Sequence, residues 1–181
     1  MIINISGAGG AGKSTLVARL TSLYPERYVR LVTYTTRPIR PGEIDGVAYY
    51  FVDAGSLEGD EYVLKRIRAE GVYAVKRSDL ETAGRTLLTT FPPSGVPKLE
   101  IFGHEVFLFH LHLNESSRSR RMRERGDSVE GTIQKIERDK EESTLNAARR
   151  ILAKRRIHIL DARKPVDELA AEFDQIARSI P

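Results

Sequence analysis

Short apolar runs alternate with helical patterns along most of the chain. Runs rich in β-branched residues predict buried strands at 1–6, 28–34, 49–52, 86–91, 106–113 and 156–160. Helical patterns cover 13–24, 56–70, 78–84, 114–125, 132–154 and 165–179. Strands that alternate with helices predict an α/β fold, in which a five-stranded parallel sheet carries helices on both faces.

The composition is that of an ordinary soluble globular protein, and the 181 residues fit one domain. Twenty-nine Lys and Arg side chains against 25 Asp and Glu give a net charge of +4, a surplus too small to require nucleic acid as a partner. The lack of cysteine excludes disulfides, thiol catalysis and cysteine-ligated zinc, and it suits the reducing cytoplasm. No apolar run approaches about 18 residues, so neither a membrane span nor a signal peptide is predicted.

A glycine-rich segment follows the first predicted strand and opens the first predicted helix. GAGGAGKST matches the P-loop pattern G-x-x-x-x-G-K-[ST]. Glycines let backbone N–H groups point inward around phosphate oxygens, and the helix adds its positive N-terminal end. The pattern predicts a nucleoside triphosphate site, with the lysine on the β- and γ-phosphates and the serine hydroxyl on Mg²⁺. Its residues are Gly7, Gly9, Gly10, Ala11, Gly12, Lys13, Ser14 and Thr15.

A second segment, TTRPIRPGEIDGVAYYFV at 35–52, places Arg37 and Arg40 three residues apart. Pro38 and Pro41 prevent a helix there, so the arginines do not belong to a solvated helical surface. A rigid loop that holds planar, bidentate donors fits the recognition of a phosphate or carboxylate.

Two other classes of P-loop protein are disfavoured. The guanine-reading N-K-x-D sequence of GTPases does not occur, and a motor or transporter ATPase would be larger and carry an apolar strand ending in Asp. Small phosphotransferases remain. Residues 33–52, TYTTRPIRPGEIDGVAYYFV, closely resemble the acceptor loop of the guanylate kinases, S-x-T-T-R-x-x-R-x-G-E-x-x-G-x-x-Y-x-F-V. RRMRERG at 120–126 is more loosely similar to the lid helix of that family.

The resemblance implies a nucleoside-monophosphate kinase that uses ATP and Mg²⁺. A core at 1–32 and 86–181 would carry an acceptor-binding insertion at about 33–85 and a mobile lid at about 118–135. Arg37, Arg40 and Tyr49 would hold the acceptor phosphate. Thr33 would face the base, and Tyr73 would be a second phosphate-contacting tyrosine.

Three lid arginines are also implied. Arg121 and Arg125 would close over the transferring phosphoryl group. Arg138 would replace a family arginine, because Lys135 is followed by Ile136 where the family has a K-R pair. With Lys13 and Arg37 these arginines form the predicted catalytic set.

The base-reading positions depart from the family. Leu64, Thr90 and Pro92 stand where guanylate kinases have acidic residues, two of which accept hydrogen bonds from guanine. Thr90 and backbone groups would then read the base, or acids displaced in the alignment would do so: Glu61, Glu70 or Asp79. GMP or dGMP is the leading acceptor; the alternatives are a pyrimidine or modified deoxynucleotide and a sugar phosphate.

A non-catalytic interaction module is the alternative from another class. Such a module has no need of Lys13, Ser14, Arg37 and Arg40 together, so the sequence favours an active enzyme, a monomer or homodimer in the cytoplasm. His110 and His112 alternate on one predicted strand, and packing is expected there rather than metal binding. The arginine run at 118–125 lacks interleaved aromatic residues, which disfavours nucleic acid.

Overall fold

The computed structural model describes residues 1–40, 42–68, 70–81, 84–152 and 157–180. Pro41, Lys154 and Arg156, which the sequence analysis used, lie outside these ranges. In chain order the elements are β1 (Ile2–Ser6), α1 (Lys13–Leu23), β2 (Tyr28–Arg30), β3 (Tyr34–Thr35), β4 (Tyr50–Phe51), β5 (Tyr62–Arg68), β6 (Gly71–Lys76), β7 (Thr86–Thr89), α2 (Val96–Glu100), β8 (Val106–His112), α3 (Glu115–Glu124), α4 (Val129–Glu142), α5 (Leu145–Ile151), β9 (Ile157–Asp161) and α6 (Val166–Arg178).

The central sheet has five parallel strands in the order β2-β7-β1-β8-β9. Consecutive side chains of β1 point to opposite faces, as the pleat requires. Ile3 and Ile5 pack in an apolar cluster with α1 and α6, whereas Ile2 packs in a second cluster with α2. Helices therefore cover both faces, and the predicted fold class is confirmed.

A second, four-stranded sheet lies within residues 33–85, in the order β4-β3-β6-β5. The predicted helix at 56–70 is wrong, because Tyr62–Arg68 within this segment forms β5, paired antiparallel with β6. The helix predicted at 78–84 is also wrong: the described part has a short 3-10 turn at Arg77–Leu80. The strand predicted at 28–34 is divided between the two sheets as β2 and β3. Pairing with a distant strand overrides local preference at β3 and β5.

The helix predicted at 132–154 is two helices, α4 and α5. They separate at Ser143 and Thr144, and the Thr144 hydroxyl accepts a hydrogen bond from the Ala147 N–H at 3.2 Å. Threonine is a good N-cap, which explains why a new helix starts there. The other predicted elements are found with their ends displaced by one or two residues, whereas α2 and β6 were not predicted.

Candidate active site

The glycine-rich turn joins β1 to α1 at the carboxyl edge of the central sheet. Gly7 and Gly10 have φ angles of +144° and +79°, a conformation that L side chains rarely adopt. A Cβ on Gly7 would lie 2.8 Å from the Leu111 carbonyl oxygen, and one on Gly10 would lie 2.9 Å from the Arg118 carbonyl oxygen. The turn therefore requires glycine at both positions for its curvature and its packing.

Lys13 lies inside this turn. Its Nζ donates to the carbonyl oxygens of Gly7 and Ala8, at 2.6 and 3.1 Å. Burial lowers the pKa of Lys13 to about 8, and nearby Arg118 lowers it further while Asp139 opposes the shift. The loop thus already orients the ammonium group, and burial makes this group easier to deprotonate than a lysine in water.

A cavity of about 660 Å³ opens in front of the turn, and we call it the donor cavity. The predicted residues that line it are Gly9, Gly10, Ala11, Gly12, Lys13, Ser14, Thr15, Arg121 and Arg125. Gly7 is not part of the lining. Sequence analysis missed the opposite wall, where Arg163, Lys164, Pro165 and Val166 lead into α6. Arg121 reaches this wall, because its guanidinium donates to the Ala162 carbonyl oxygen at 2.9 Å.

Ser14 lies in the first turn of α1, and its residue is exposed to the donor cavity. In the part of the chain that the structure describes, no Asp or Glu lines this cavity. Mg²⁺ commonly keeps waters and phosphate oxygens as most of its ligands. A single hydroxyl therefore fits an ion that arrives with the nucleotide.

A buried ion pair ties the turn to α3 and α4. Arg118 and Asp139 are each 4% exposed. One Arg118 nitrogen donates to Asp139 Oδ2 at 2.6 Å, and its Nε donates to the Gly9 carbonyl oxygen at 2.8 Å. The Gly9 N–H donates to the same Asp139 oxygen at 2.6 Å. The pair thus holds both polar groups of one P-loop residue, and no local motif signals it because its members are 21 residues apart.

A second cavity, of about 290 Å³, lies between the two sheets, and we call it the acceptor cavity. Of the predicted residues, Thr33, Tyr49, Tyr73, Thr90 and Arg138 line it. Arg138 thus does not join Arg121 and Arg125 in the lining of the donor cavity. Neither Arg37 nor Arg40 belongs to the acceptor lining.

Arg37 is engaged within its own loop. It is 4% exposed, and it donates to the two carboxylate oxygens of Glu43 at 2.8 and 2.6 Å. Its guanidinium carbon lies 4.9 Å from the ring centre of Tyr49 and 5.3 Å from that of Phe51. Glu43 also accepts from the Arg40 backbone N–H at 2.9 Å, and hydrogen bonding from Arg37 lowers the pKa of Glu43. Glu43, which the sequence analysis did not single out, therefore organises the loop.

Comparison with known proteins identifies the family of this chain. A family model described as "Guanylate kinase" matches residues 1–65. Guanylate kinase from Nostoc sp. is 31% identical over 150 residues, which cover 78% of this chain and 75% of that protein. This chain belongs to the guanylate kinase family. The sequence-based resemblance to nucleoside-monophosphate kinases is confirmed at this level.

The matched region covers different shares of two further proteins. Guanylate kinase 1 from Oryza sativa is 31% identical over 141 residues, 74% of this chain but 37% of that protein. The crystal structure of guanylate kinase from Anaplasma phagocytophilum matches with a TM-score of 0.64 at 22% identity, over 99% of this chain and 84% of that one. This likeness supports the fold. No helix in the described ranges is both long and apolar enough to cross a membrane.

The positions that the resemblance implies for base reading line the acceptor cavity: Leu64, Thr90 and Pro92. Leu64 lines the acceptor cavity with a φ of +55°, at a point where the pairing of β5 with β6 shifts register between Val63 and Arg66. A left-handed leucine costs roughly 1–3 kcal/mol. Of the three alternative base readers, Glu70 lines the cavity and Glu61 and Asp79 do not.

His110 is buried on β8, and His112 is exposed. The His110 Nδ1 lies 3.0 Å from the Ser6 hydroxyl, directly before the glycine-rich turn. Burial lowers the pKa of His110 to about 4, and His112 and Lys13 add to the shift. A neutral imidazole is therefore part of the packing under the P-loop.

Acid is expected to destabilise the protein through His110. In the unfolded chain this histidine takes up a proton near pH 6.5, whereas in the folded chain it does so only near pH 4. The free energy of unfolding should therefore fall by up to about 3 kcal/mol as the pH falls from about 6.5 to about 4. Urea unfolding at several pH values should show a shallower dependence in His110→Asn than in His112→Asn. Equal slopes in the two variants would contradict this assignment.

Proposed function

We propose that the protein transfers the γ-phosphoryl group of Mg-ATP to a phosphate monoester acceptor of nucleoside-monophosphate size, with GMP or dGMP as the leading candidate. The observation that carries this proposal is the lining of the donor cavity, where Arg121 and Arg125 accompany Lys13 and Ser14. A P-loop alone is sufficient to bind a nucleotide. Two further cations in the same cavity suit a reaction that develops negative charge on a phosphoryl group in transfer.

Little covalent chemistry is required of the protein. An oxygen of the acceptor phosphate attacks the γ-phosphorus, and the bond from that phosphorus to the β–γ bridging oxygen breaks, so that ADP leaves. Lys13 would contact the β- and γ-phosphates, and Arg121 and Arg125 would neutralise the equatorial oxygens. Mg²⁺ would add further positive charge, with the Ser14 hydroxyl as its protein ligand.

The acceptor phosphate is proposed to bind at the loop that Glu43 organises. Tyr49 and Tyr73 line the acceptor cavity, and Arg40 is an exposed residue on the same loop. We propose that Arg40 makes the ionic contact and that Arg37 mainly holds the loop in place, because Glu43 engages two of its guanidinium nitrogens. This revises the equal roles expected for the two arginines.

Turnover with a panel of acceptors tests the proposal. Purified protein with Mg-ATP should release ADP when one acceptor among the common NMPs, dNMPs and sugar phosphates is added. ADP release that no acceptor stimulates would favour the non-catalytic interaction module. The cytoplasm remains the predicted location, and a monomer or homodimer remains the predicted assembly.

Arg40→Ala is expected to raise the KM for the acceptor by roughly 10- to 100-fold and to leave the KM for ATP nearly unchanged. A charge-assisted hydrogen bond contributes about 1.5–3 kcal/mol, which corresponds to that range. Initial rates with each substrate varied in turn give both constants. Arg19→Ala is the control, because Arg19 pairs with Asp167 and lines neither cavity. A similar rise in both KM values would mean that the role of Arg40 is not specific to the acceptor phosphate.

A further inference from the structure

The charge of the acceptor cavity does not suit a guanine edge. Guanine presents N1–H and N2–H₂ donors on that edge, which call for acceptors in the protein. In the described ranges, one carboxylate lines the cavity, that of Glu70. Six cationic side chains also line it, and such side chains only donate: Arg30, Lys65, Arg66, Arg68, Lys98 and Arg138. On this wall the cationic side chains therefore outnumber the carboxylates by six to one.

Arg30 is the most informative of these cations. It lies at the end of β2 and is half-buried, and its guanidinium donates to the Ala48 carbonyl oxygen at 3.1 Å. Within the described part of the chain, no carboxylate pairs with it. Burial lowers the pKa of Arg30. A cation taken out of water without a counter-charge is costly, and an anionic ligand in the cavity would offset that cost.

Other walls add charge in the same cavity. Arg66 and Arg68 alternate along β5 and both line the cavity, whereas Ile67 between them is 84% exposed. Lys98 is an exposed residue on α2. The Lys65 ammonium donates to backbone carbonyl oxygens of residues 58 and 59, and Arg66 and Arg68 have partners as well. With Arg138, the positive charge comes from four separate elements: β2, β5, α2 and α4.

Leu64 is a further residue of the cavity wall that does not suit guanine. It stands on the cavity wall where a base-reading acid would be expected, and its side chain can accept no hydrogen bond. Guanine would find no side-chain acceptor at Leu64, and a buried donor left unpaired costs roughly 1–3 kcal/mol.

We propose that the preferred acceptor differs from GMP, the leading candidate on family membership, by carrying a second anionic group, a phosphate or a carboxylate. Arg30 and Lys98 would bind this group, while the loop of Arg40 and Tyr49 holds the phosphate that receives the γ-phosphoryl group. The inference rests on the proposed kinase function for the role of that first phosphate. Two sources share this chemistry: a nucleotide with a carboxylated base and a sugar bisphosphate.

Binding of matched ligand pairs tests the inference without turnover. Isothermal titration in the absence of ATP would compare orotidine 5′-monophosphate with UMP, and fructose 1,6-bisphosphate with fructose 6-phosphate. In at least one pair the ligand with the additional anionic group should bind at least about tenfold more tightly, the effect of a single ion pair worth about 1.4 kcal/mol. The pair that shows the difference identifies the source, and added salt should reduce that difference.

Two variants assign the effect to the cavity. Arg30→Gln and Lys98→Gln should each remove most of the advantage of the additional anion, while binding of UMP or fructose 6-phosphate stays within about twofold. Arg19→Gln is the control for the loss of one positive charge outside both cavities. Lys98 is exposed, so its variant remains informative if Arg30→Gln does not fold.

The inference is overturned if neither pair shows a preference for the additional anion, if GMP binds more tightly than both ligands with the additional anionic group, or if both variants weaken the two members of a pair equally. Turnover is measured separately. A protein that prefers the ligands with the additional anionic group but transfers no phosphoryl group would refute the proposed kinase function and leave the binding inference intact. Rapid turnover of GMP alone, with no such preference, would support the proposed kinase function and refute the binding inference.

Discussion

Lys13→Ala is expected to reduce kcat at least about 100-fold. Loss of a cation that contacts the transferring phosphoryl group removes a few kcal/mol of transition-state stabilisation, and each 1.36 kcal/mol corresponds to about tenfold in rate. Acceptor-dependent ADP release at saturating Mg-ATP measures the change. Lys140→Ala is the control, because Lys140 is an exposed lysine that pairs with Glu137 and lines neither cavity. A kcat within about threefold of the parent would remove Lys13 from the mechanism.

The same variant should be no less stable than the parent at neutral pH. Burial holds the pKa of folded Lys13 near 8, below its value of about 10.5 in the unfolded chain, so the folded state disfavours the charged lysine. The sign follows: the free energy of unfolding of the parent should rise as the pH rises from about 8 to about 10.5, and Lys13→Ala should lack this rise. A lower melting temperature in Lys13→Ala at pH 7 would mean that lost activity partly reflects lost folding.

The donor site could be predicted because its residues are consecutive. Nine residues after β1 supply the turn, the lysine and the hydroxyl proposed to bind Mg²⁺, so one short motif predicts this wall of the cavity. Arg121 and Arg125 were located through the family resemblance, and they line the same cavity. The opposite wall before α6 has no such motif and was not predicted.

The acceptor site could be predicted only in part. The charged sequence of β5 resembles a solvated helix, and its strand conformation depends on β6, an element that the sequence analysis missed. Arg30 enters the acceptor cavity because β2 ends there, although it lies ahead of the arginine loop in sequence. The sequence predicted Arg37 as a phosphate donor in a rigid loop, whereas its ion pair with Glu43 is a property of the folded loop that the sequence pattern did not indicate.

The ion pair between Arg118 and Asp139 could not be predicted from the sequence. Its members belong to α3 and α4, and their common partner, Gly9, belongs to the P-loop. Pairwise patterns at helical spacing cannot reveal a contact of this kind. It joins α3 and α4 to the P-loop, so its loss is expected to affect both stability and nucleotide binding.

Arg118→Met and Asp139→Leu are each expected to lower the free energy of unfolding by about 3–5 kcal/mol. Each leaves a buried partner charge without compensation, which costs more than an ion pair contributes in water. The double variant should be destabilised by less than the sum of the two, because neither charge then remains buried. Urea unfolding of the four proteins measures the coupling. In the control cycle, Arg120→Met with Glu124→Leu on the exposed face of α3, each change should stay within about 0.5 kcal/mol.

Nucleotide binding separates this ion pair from a purely structural contact. Asp139→Leu removes the acceptor of the Gly9 N–H, so the turn should hold ATP more weakly, whereas Arg118→Met leaves that hydrogen bond in place. The Kd for ATP should therefore rise more in Asp139→Leu than in Arg118→Met, at a urea concentration and temperature where both proteins remain folded. Equal Kd values in the two variants, or additive losses of stability in the cycle, would show that the pair does not organise the P-loop.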